Sequence, residues 1–531
     1  MNGLSFHRRS TISESAPERV DIACFIGMIT ARAGRPLTPE IAAWMVANSW
    51  AAASDVASKP ASAFKGLPVP IENWSVFDGL FQWESRTADG LGGPTYLGMA
   101  VRSFFSQGGQ KCYVIPVADS FAVEHVFATL SAEQIKAHQQ AILEACLPKQ
   151  ISEQDRTTWW GAGALFGLED VALVLLPDLP ELMRKVDLPE PVPAPPPAVI
   201  EEHFVRCDDA PAPPPPPDTS LASSSAPRCD QDGYKGWLEF LNQFYAAFFG
   251  TRVVREVQLL VALPLPADAS AFGSAKDLMS MLPPDVDTAT GGGFVNGFIQ
   301  VCYPWLITND SLNLPEQLLP PDGALAGLLA RNALARGTFM DATKVVPNQI
   351  FGTFPQLGKE NYNVPEAPAN LGGGVTRPPL ILAQRVSLFG PTPSGYRLLS
   401  DVTTSLDTSY RSAPTRRLIS AVVRTARTLG EGLMFDASGP SLWGQVQTVL
   451  QAALTRYWRA GALDGGTASM AFTVRCDRGT MTQNDLDNGR VIAEVTLSTA
   501  VSIEQIRILL TLAAGDVAAQ FSTADDAMEV A

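Results

Sequence analysis

The amino-acid sequence predicts an α/β fold in which a mainly parallel sheet is followed by a smaller α+β unit. Three observations carry this prediction. Apolar, β-rich runs at 112–117, 171–176, 257–263 and 298–303 are short and unbroken, as strands buried on both faces are. Helical patterns at 237–249 and 324–335 fall between or after them, an alternation that favours parallel pairing. In the last third the apolar period changes from helical to alternating, and 531 residues exceed the ~250–300 at which one core stops growing, so more than one domain is expected.

Taken in order, residues 1–19 hold His7, Arg8 and Arg9 but no apolar run of a secretory signal, and no stretch approaches the ~20 apolar residues of a membrane span. Residues 20–380 form the α/β part. It is interrupted at 187–228 by a segment with twelve prolines between Pro189 and Pro217, which reads as an extended, solvated loop. That loop is either a decoration or docking element or a tolerated insertion, and the low cost of lengthening a surface loop favours the insertion. The turn-rich stretch 347–379 connects to a final domain at 381–512, and 513–531 is a tail.

Within the final domain, Pro414 and Gly430 bracket a helix whose apolar side is Leu418, Ile419, Val422, Val423, Ala426 and Leu429. Its other side carries Arg416, Arg417, Arg424 and Arg427 within about a third of a turn, a basic stripe on an acidic chain. A second helix, 441–460, buries Leu442, Val446, Val449, Leu450, Ala453, Leu454, Tyr457 and Trp458 and stops at Gly461. Period-2 runs follow: Met470, Phe472, Val474, Cys476; then Val491, Ala493, Val495, Leu497; then Ile506, Ile508, Leu510, Leu512. Two helices on a small, mostly antiparallel sheet satisfy this pattern.

The chemistry of a catalytic or cofactor site is not announced. The net charge of -15 argues against general binding to nucleic acid or anionic membrane, both of which need a basic face. Seven scattered cysteines lack any CxxC spacing and read as reduced, core-packed thiols of a protein made in the cytoplasm. Four histidines show no ligand spacing, so no metal and no cofactor is expected. The glycine-rich stretch 161–167 precedes its strand instead of following one, and neither GxxxxGK[ST] nor GxSxG occurs. Ser62-Ala63-Phe64-Lys65 lacks the companion motifs of acyl-transfer enzymes, and Asp208-Asp209 and Asp525-Asp526 read as solvated charge. An α/β hydrolase-type enzyme is the less favoured alternative.

Several blocks resemble the contractile tail sheath family, in the family's order: Tyr96-Leu97-Gly98-Met99-Ala100-Val101-Arg102 with its continuation to Val114, Tyr303-Pro304-Trp305, Pro320-Pro321-Asp322-Gly323 with its continuation to Arg331, Arg416-Arg417-Leu418-Ile419, Leu442-Trp443, Tyr457-Trp458-Arg459-Ala460-Gly461-Ala462-Leu463-Asp464-Gly465 and Met470-Ala471-Phe472 with its continuation to Asp477. The resemblance implies an inserted α/β domain, a C-terminal α+β sheath domain and extended terminal arms exchanged between subunits. It implies a helical homopolymer of stacked hexameric rings around an inner tube, capped by baseplate and cap proteins, assembled in the cytoplasm and released by lysis. Such a polymer contracts without nucleotide to drive its tube through a target envelope.

On that resemblance the inner-tube interface falls on Arg416, Arg417, Arg424 and Arg427, with Arg456 and Arg459 as secondary positions. The alternative for the stripe is a solvated or intra-lattice helix face. The arm strands fall on Leu4, Phe6 and Ile12 at one end and Ile506, Ile508, Leu510 and Leu512 at the other. The family's Pro-Gly-Val-Tyr block is missing near the N-terminus, which tilts the resemblance towards injection particles and away from phage tails. A sheath-derived baseplate or cap adaptor shares the same signature.

Overall fold

The computed structural model describes residues 20–86, 93–120, 131–185, 225–248, 256–267, 296–357, 382–405, 408–431, 439–499, 505–513 and 516–523. Residues 1–19, which include Leu4, Phe6 and Ile12, and most of the proline-rich segment lie outside these.

The larger sheet has eight strands: β1 (Ala23–Met28), β2 (Val69–Ile71), β3 (Cys112–Ala118), β4 (Leu173–Leu175), β5 (Gln258–Ala262), β6 (Ile299–Tyr303), β7 (Ser387–Thr392) and β8 (Gly395–Leu398). Their spatial order is β8-β7-β6-β5-β4-β1-β3-β2. The six inner strands are parallel, and the edge strands β2 and β8 run antiparallel to their neighbours. The four apolar runs of the sequence are β3, β4, β5 and β6, and burial on both faces explains why they do not alternate. Strands β7 and β8 belong to this sheet, although the sequence assigns them to the final domain.

Helices α1 (Tyr96–Gln107), α2 (Ala132–Cys146), α3 (Gln231–Phe248) and α4 (Asp322–Arg336) accompany the sheet. The first starts on Thr95, whose hydroxyl accepts from the Gly98 amide, and ends on Gly108 at φ 110°, a left-handed cap that suits glycine. Helices α1 and α4 lie against each other in the same direction. A Cβ on Gly323 would lie 2.5 Å from the Ala100 Cα, and one on Gly327 would meet the carbonyl of Phe104 and, at 2.7 Å, the Cβ of Gln107. Two blocks far apart in the sequence are therefore two halves of one close helix pair, with glycines where backbone meets backbone.

The C-terminal unit contains α5 (Ala413–Glu431), α6 (Pro440–Arg459) and a second sheet of β9 (Phe472–Arg475), β10 (Val491–Ser498), β11 (Gln505–Ala513) and β12 (Asp516–Thr523). Its strands are antiparallel in sequence order. Val491, Ala493, Val495 and Leu497 of β10 pack with Leu418, Val422, Leu450 and Leu454 in a core separate from that of the larger sheet. Ile508 and Leu510 of β11 are buried in this same core; Ile506 and Leu512 lie on the same strand. Residues 516–523, read from sequence as part of a C-terminal arm or tail, pair along their whole length with β11 of the same subunit.

Candidate functional site: an arginine seam between the two units

Helix α5 is buried on both faces. Its apolar side feeds the C-terminal core, and its arginine side lies against the N-terminal ends of the parallel strands. The fit follows from two repeats. From Arg416 to Arg424 the helix rises about 12 Å, close to the ~10 Å spanned by two inter-strand spacings. Arg416 accordingly meets the start of β6, where its guanidinium sits 3.9 Å from the Phe298 ring centroid. Arg424, two turns on, meets the start of β4 and donates to the carbonyls of Asp170 at 2.9 Å and Val171 at 2.8 Å. It also reaches the Glu256 carbonyl, just ahead of β5, at 3.4 Å.

Charge is matched along the seam. Arg427 grips the Glu256 carboxylate with both terminal nitrogens, at 2.5 and 2.6 Å. Arg417 does the same to Asp401, with Nη2 to Oδ2 at 2.6 Å and Nη1 to Oδ1 at 3.1 Å, while its Nε donates to the Thr338 carbonyl at 3.2 Å. Paired N–H donors in a fixed fork match a carboxylate, which is why arginine serves here and lysine would not. Asp401 also accepts from Gln300 Nε2 at 3.0 Å and from the Ala342 amide at 3.1 Å. Gln300 continues the chain inward, donating to Ser387 Oγ and accepting from Gln258 Nε2, so one polar ladder crosses β5, β6 and β7 and ends on α5. At the far end, Lys111 Nζ and Tyr113 OH both donate to the Asp170 carboxylate.

Burial lowers the pKa of Arg416 to about 10 and that of Arg424 in direction, against the pull of Glu256 on each. Both stay protonated at neutral pH.

This geometry corrects the sequence reading of the stripe. Arg416, Arg417 and Arg424 are at most 6% exposed and Arg427 is bound to Glu256, so the stripe is an internal joint and offers no surface to a tube. Arg456 and Arg459, in the last turn of α6, are exposed. The partners Asp170, Glu256 and Asp401 carry no local sequence signal. Gln258 and Gln300 do carry one, since a glutamine inside an otherwise apolar strand needs a buried hydrogen-bond partner. The stretch Gly161–Gly167 is a buried 3-10 segment packed on Trp159, Trp50 and the Ala145 carbonyl. Among the described residues no three histidine, cysteine or acidic side chains gather as a metal set, and no helix is long and apolar enough to cross a membrane.

No family model and no curated protein matches the chain. Solved structures do. A chain of the anti-feeding prophage baseplate in its contracted state matches with TM-score 0.54 and 18% identity, covering 94% of each chain. A chain of the six-fold symmetrised anti-feeding prophage baseplate matches with TM-score 0.51 and 16% identity over 94% of this chain and 95% of that one. A chain of the PVC sheath complex in its contracted state, from an extracellular contractile injection system, matches with TM-score 0.50 and 14% identity over 94% of both. This is the contractile-sheath fold. Because the match runs through both units of this sheath fold, the seam joins two parts of one architecture and is not a junction between unrelated domains.

Proposed function

We propose that the chain is a structural subunit of a contractile sheath, a helical homopolymer around an inner tube whose contraction drives that tube through a target envelope. The observation that carries this reading is the likeness to contractile-particle structures over 94% of the chain. The seam supports it mechanically. A subunit that must rotate and slide in a lattice transmits force only if its parts do not shear, and buried bidentate ion pairs with a ladder behind them resist shear.

The tube seat is assigned to exposed Arg456 and Arg459, where cations also suit a helix C-terminus. The arms are residues 1–19, with Leu4, Phe6 and Ile12 as the apolar positions of a strand added to a neighbouring subunit. Strand β12 ends the second sheet, so its outer edge offers main-chain donors and acceptors to such an addition. Expressed alone and viewed by negative-stain microscopy, the protein forms rods or stacked rings in this reading; monodisperse globules under all salt conditions would overturn it. Two of the similar chains come from baseplates, which favours a second reading, a sheath-derived ring adaptor. Copy number per particle separates the two.

A further inference from the structure

A buried carboxyl stands at the head of each helix of the α1–α4 pair. Asp178 Oδ1 accepts from the amide of Leu97, the second residue of α1, at 3.1 Å, and its Oδ2 accepts from the Met28 amide at the end of β1 at 2.6 Å. Asp322 opens α4, is wholly buried, and accepts from the Gly323 amide at 2.9 Å. Among the described residues no donor reaches its second oxygen.

The charges facing each group can be counted. Around Asp178 stand Arg86, Glu181 and, from α2, the Cys146 thiol, with Tyr96 beside Arg86. Arg86 is bound to Glu181, both are buried, and its guanidinium lies 4.5 Å from the Tyr96 ring centroid. Among the described residues the cation acting on Asp178 is Arg86, which is already bound to Glu181, so an ionised Asp178 is poorly compensated. Arg184 lies further out, partly exposed, donating to Ser225. Around Asp322 the titratable neighbour is the buried Cys302 thiol of β6, and α1 presents the Ala100 backbone against Gly323. Among the described residues no cation acts on Asp322, so its charged form has even less support than that of Asp178.

We propose that Asp178 and Asp322 each take up a proton when the subunit folds, making the α1–α4 pair a proton-linked latch that is firm in mild acid and weakened at and above neutrality. Burial pushes each carboxyl up to about 7, against the backbone amides that favour the charged form. The sign follows from linkage. A folded-state value raised above the unfolded one, near ~3.9, means that the folded state holds more protons between the two values. The stabilisation is therefore complete below about pH 4 and is lost as pH rises towards about 7.

The test is equilibrium unfolding of the full-length subunit between about pH 5 and about pH 8, with D178N and D322N beside the wild type. Each latch proton lowers the folded-to-unfolded ratio roughly tenfold per pH unit from about pH 5 to about pH 6.5, the dependence flattens above about pH 7, and each asparagine variant removes one such factor. Asp485, by contrast, accepts from Thr482, which holds its carboxyl below the usual range, so it is ionised in both states and adds no slope here. Should a variant fail to fold, the wild type still decides the matter. Its unfolding near pH 6, followed calorimetrically in buffers of different ionisation heat, should release between one and two protons. Absence of proton release, or pH slopes unchanged in folded D178N and D322N, overturns the latch.

Discussion

Replacing Asp401 with asparagine should destabilise the subunit by about 3–5 kcal/mol, the usual cost of leaving one partner of a buried ion pair unmatched. The structure supports a value in this range. Asp401 receives four donors: two from Arg417, one from Gln300 and one from the Ala342 amide. An asparagine can accept on only one of its two heads, and its amide nitrogen would face donors. Asp401 and Arg417 are 6% and 3% exposed, so water cannot replace the lost bonds. The measurement is urea unfolding followed by tryptophan fluorescence and far-ultraviolet circular dichroism. With a denaturant slope near ~3 kcal/mol/M, the midpoint falls by roughly 1 to 1.7 M. The difference should persist in high salt, since screening acts on solvated charges. A double variant, Asp401→Leu with Arg417→Met, should regain part of the loss, because two apolar groups in a buried slot are cheaper than one orphaned cation. A single-variant loss below about 1 kcal/mol, or a double variant less stable than the single, would refute the seam as a structural joint.

Four further outcomes follow from the same geometry. Arg424→Glu with Arg427→Glu sets carboxylates against Glu256 and the Asp170 and Val171 carbonyls, so it should abolish soluble folded protein, as judged by expression and thermal melting, instead of costing the ~0.5 kcal/mol of a surface change. Gly323→Ala places a Cβ 2.5 Å from the Ala100 Cα and should cost about 1–3 kcal/mol in urea unfolding. Arg456→Glu with Arg459→Glu should leave the melting temperature unchanged and abolish co-sedimentation with the inner tube; retention of tube binding places the seat elsewhere. Deleting residues 2–17 should leave melting nearly unchanged and prevent polymerisation, read by microscopy, because an arm with few apolar residues contributes little to its own subunit.

How much of this was legible depended on how local the cause was. Strands β3 to β6 were readable because two-sided burial leaves an apolar run on the chain itself. β7 was not, since Ser387 and Pro391 break its apolar pattern and its place is fixed by pairing with β6, 85 residues earlier. The strand Asp516–Thr523 escaped for a related reason: it is held by main-chain pairing to β11, and its sequence carries Ala518, Ala519 and Gln520 where strands favour β-branched and aromatic residues. The similarity blocks at 96–114 and 320–331 were visible as text, but that they form one helix pair depends on glycines meeting backbone across more than two hundred residues.

The arginine stripe is the instructive failure. Amphipathic periodicity separates two chemically different faces of a helix and says nothing about what covers either one. An arginine face is as well satisfied by strand-end carbonyls and two distant carboxylates as by water. One clue was present in the composition. Charged residues make up only 18% of the chain, and several of them, including Arg86, Lys111, Glu181, Glu256, Asp401 and Arg416, Arg417 and Arg424 of the stripe, are buried. Among the described residues, charge is therefore drawn from the exposed surface into internal joints such as this seam.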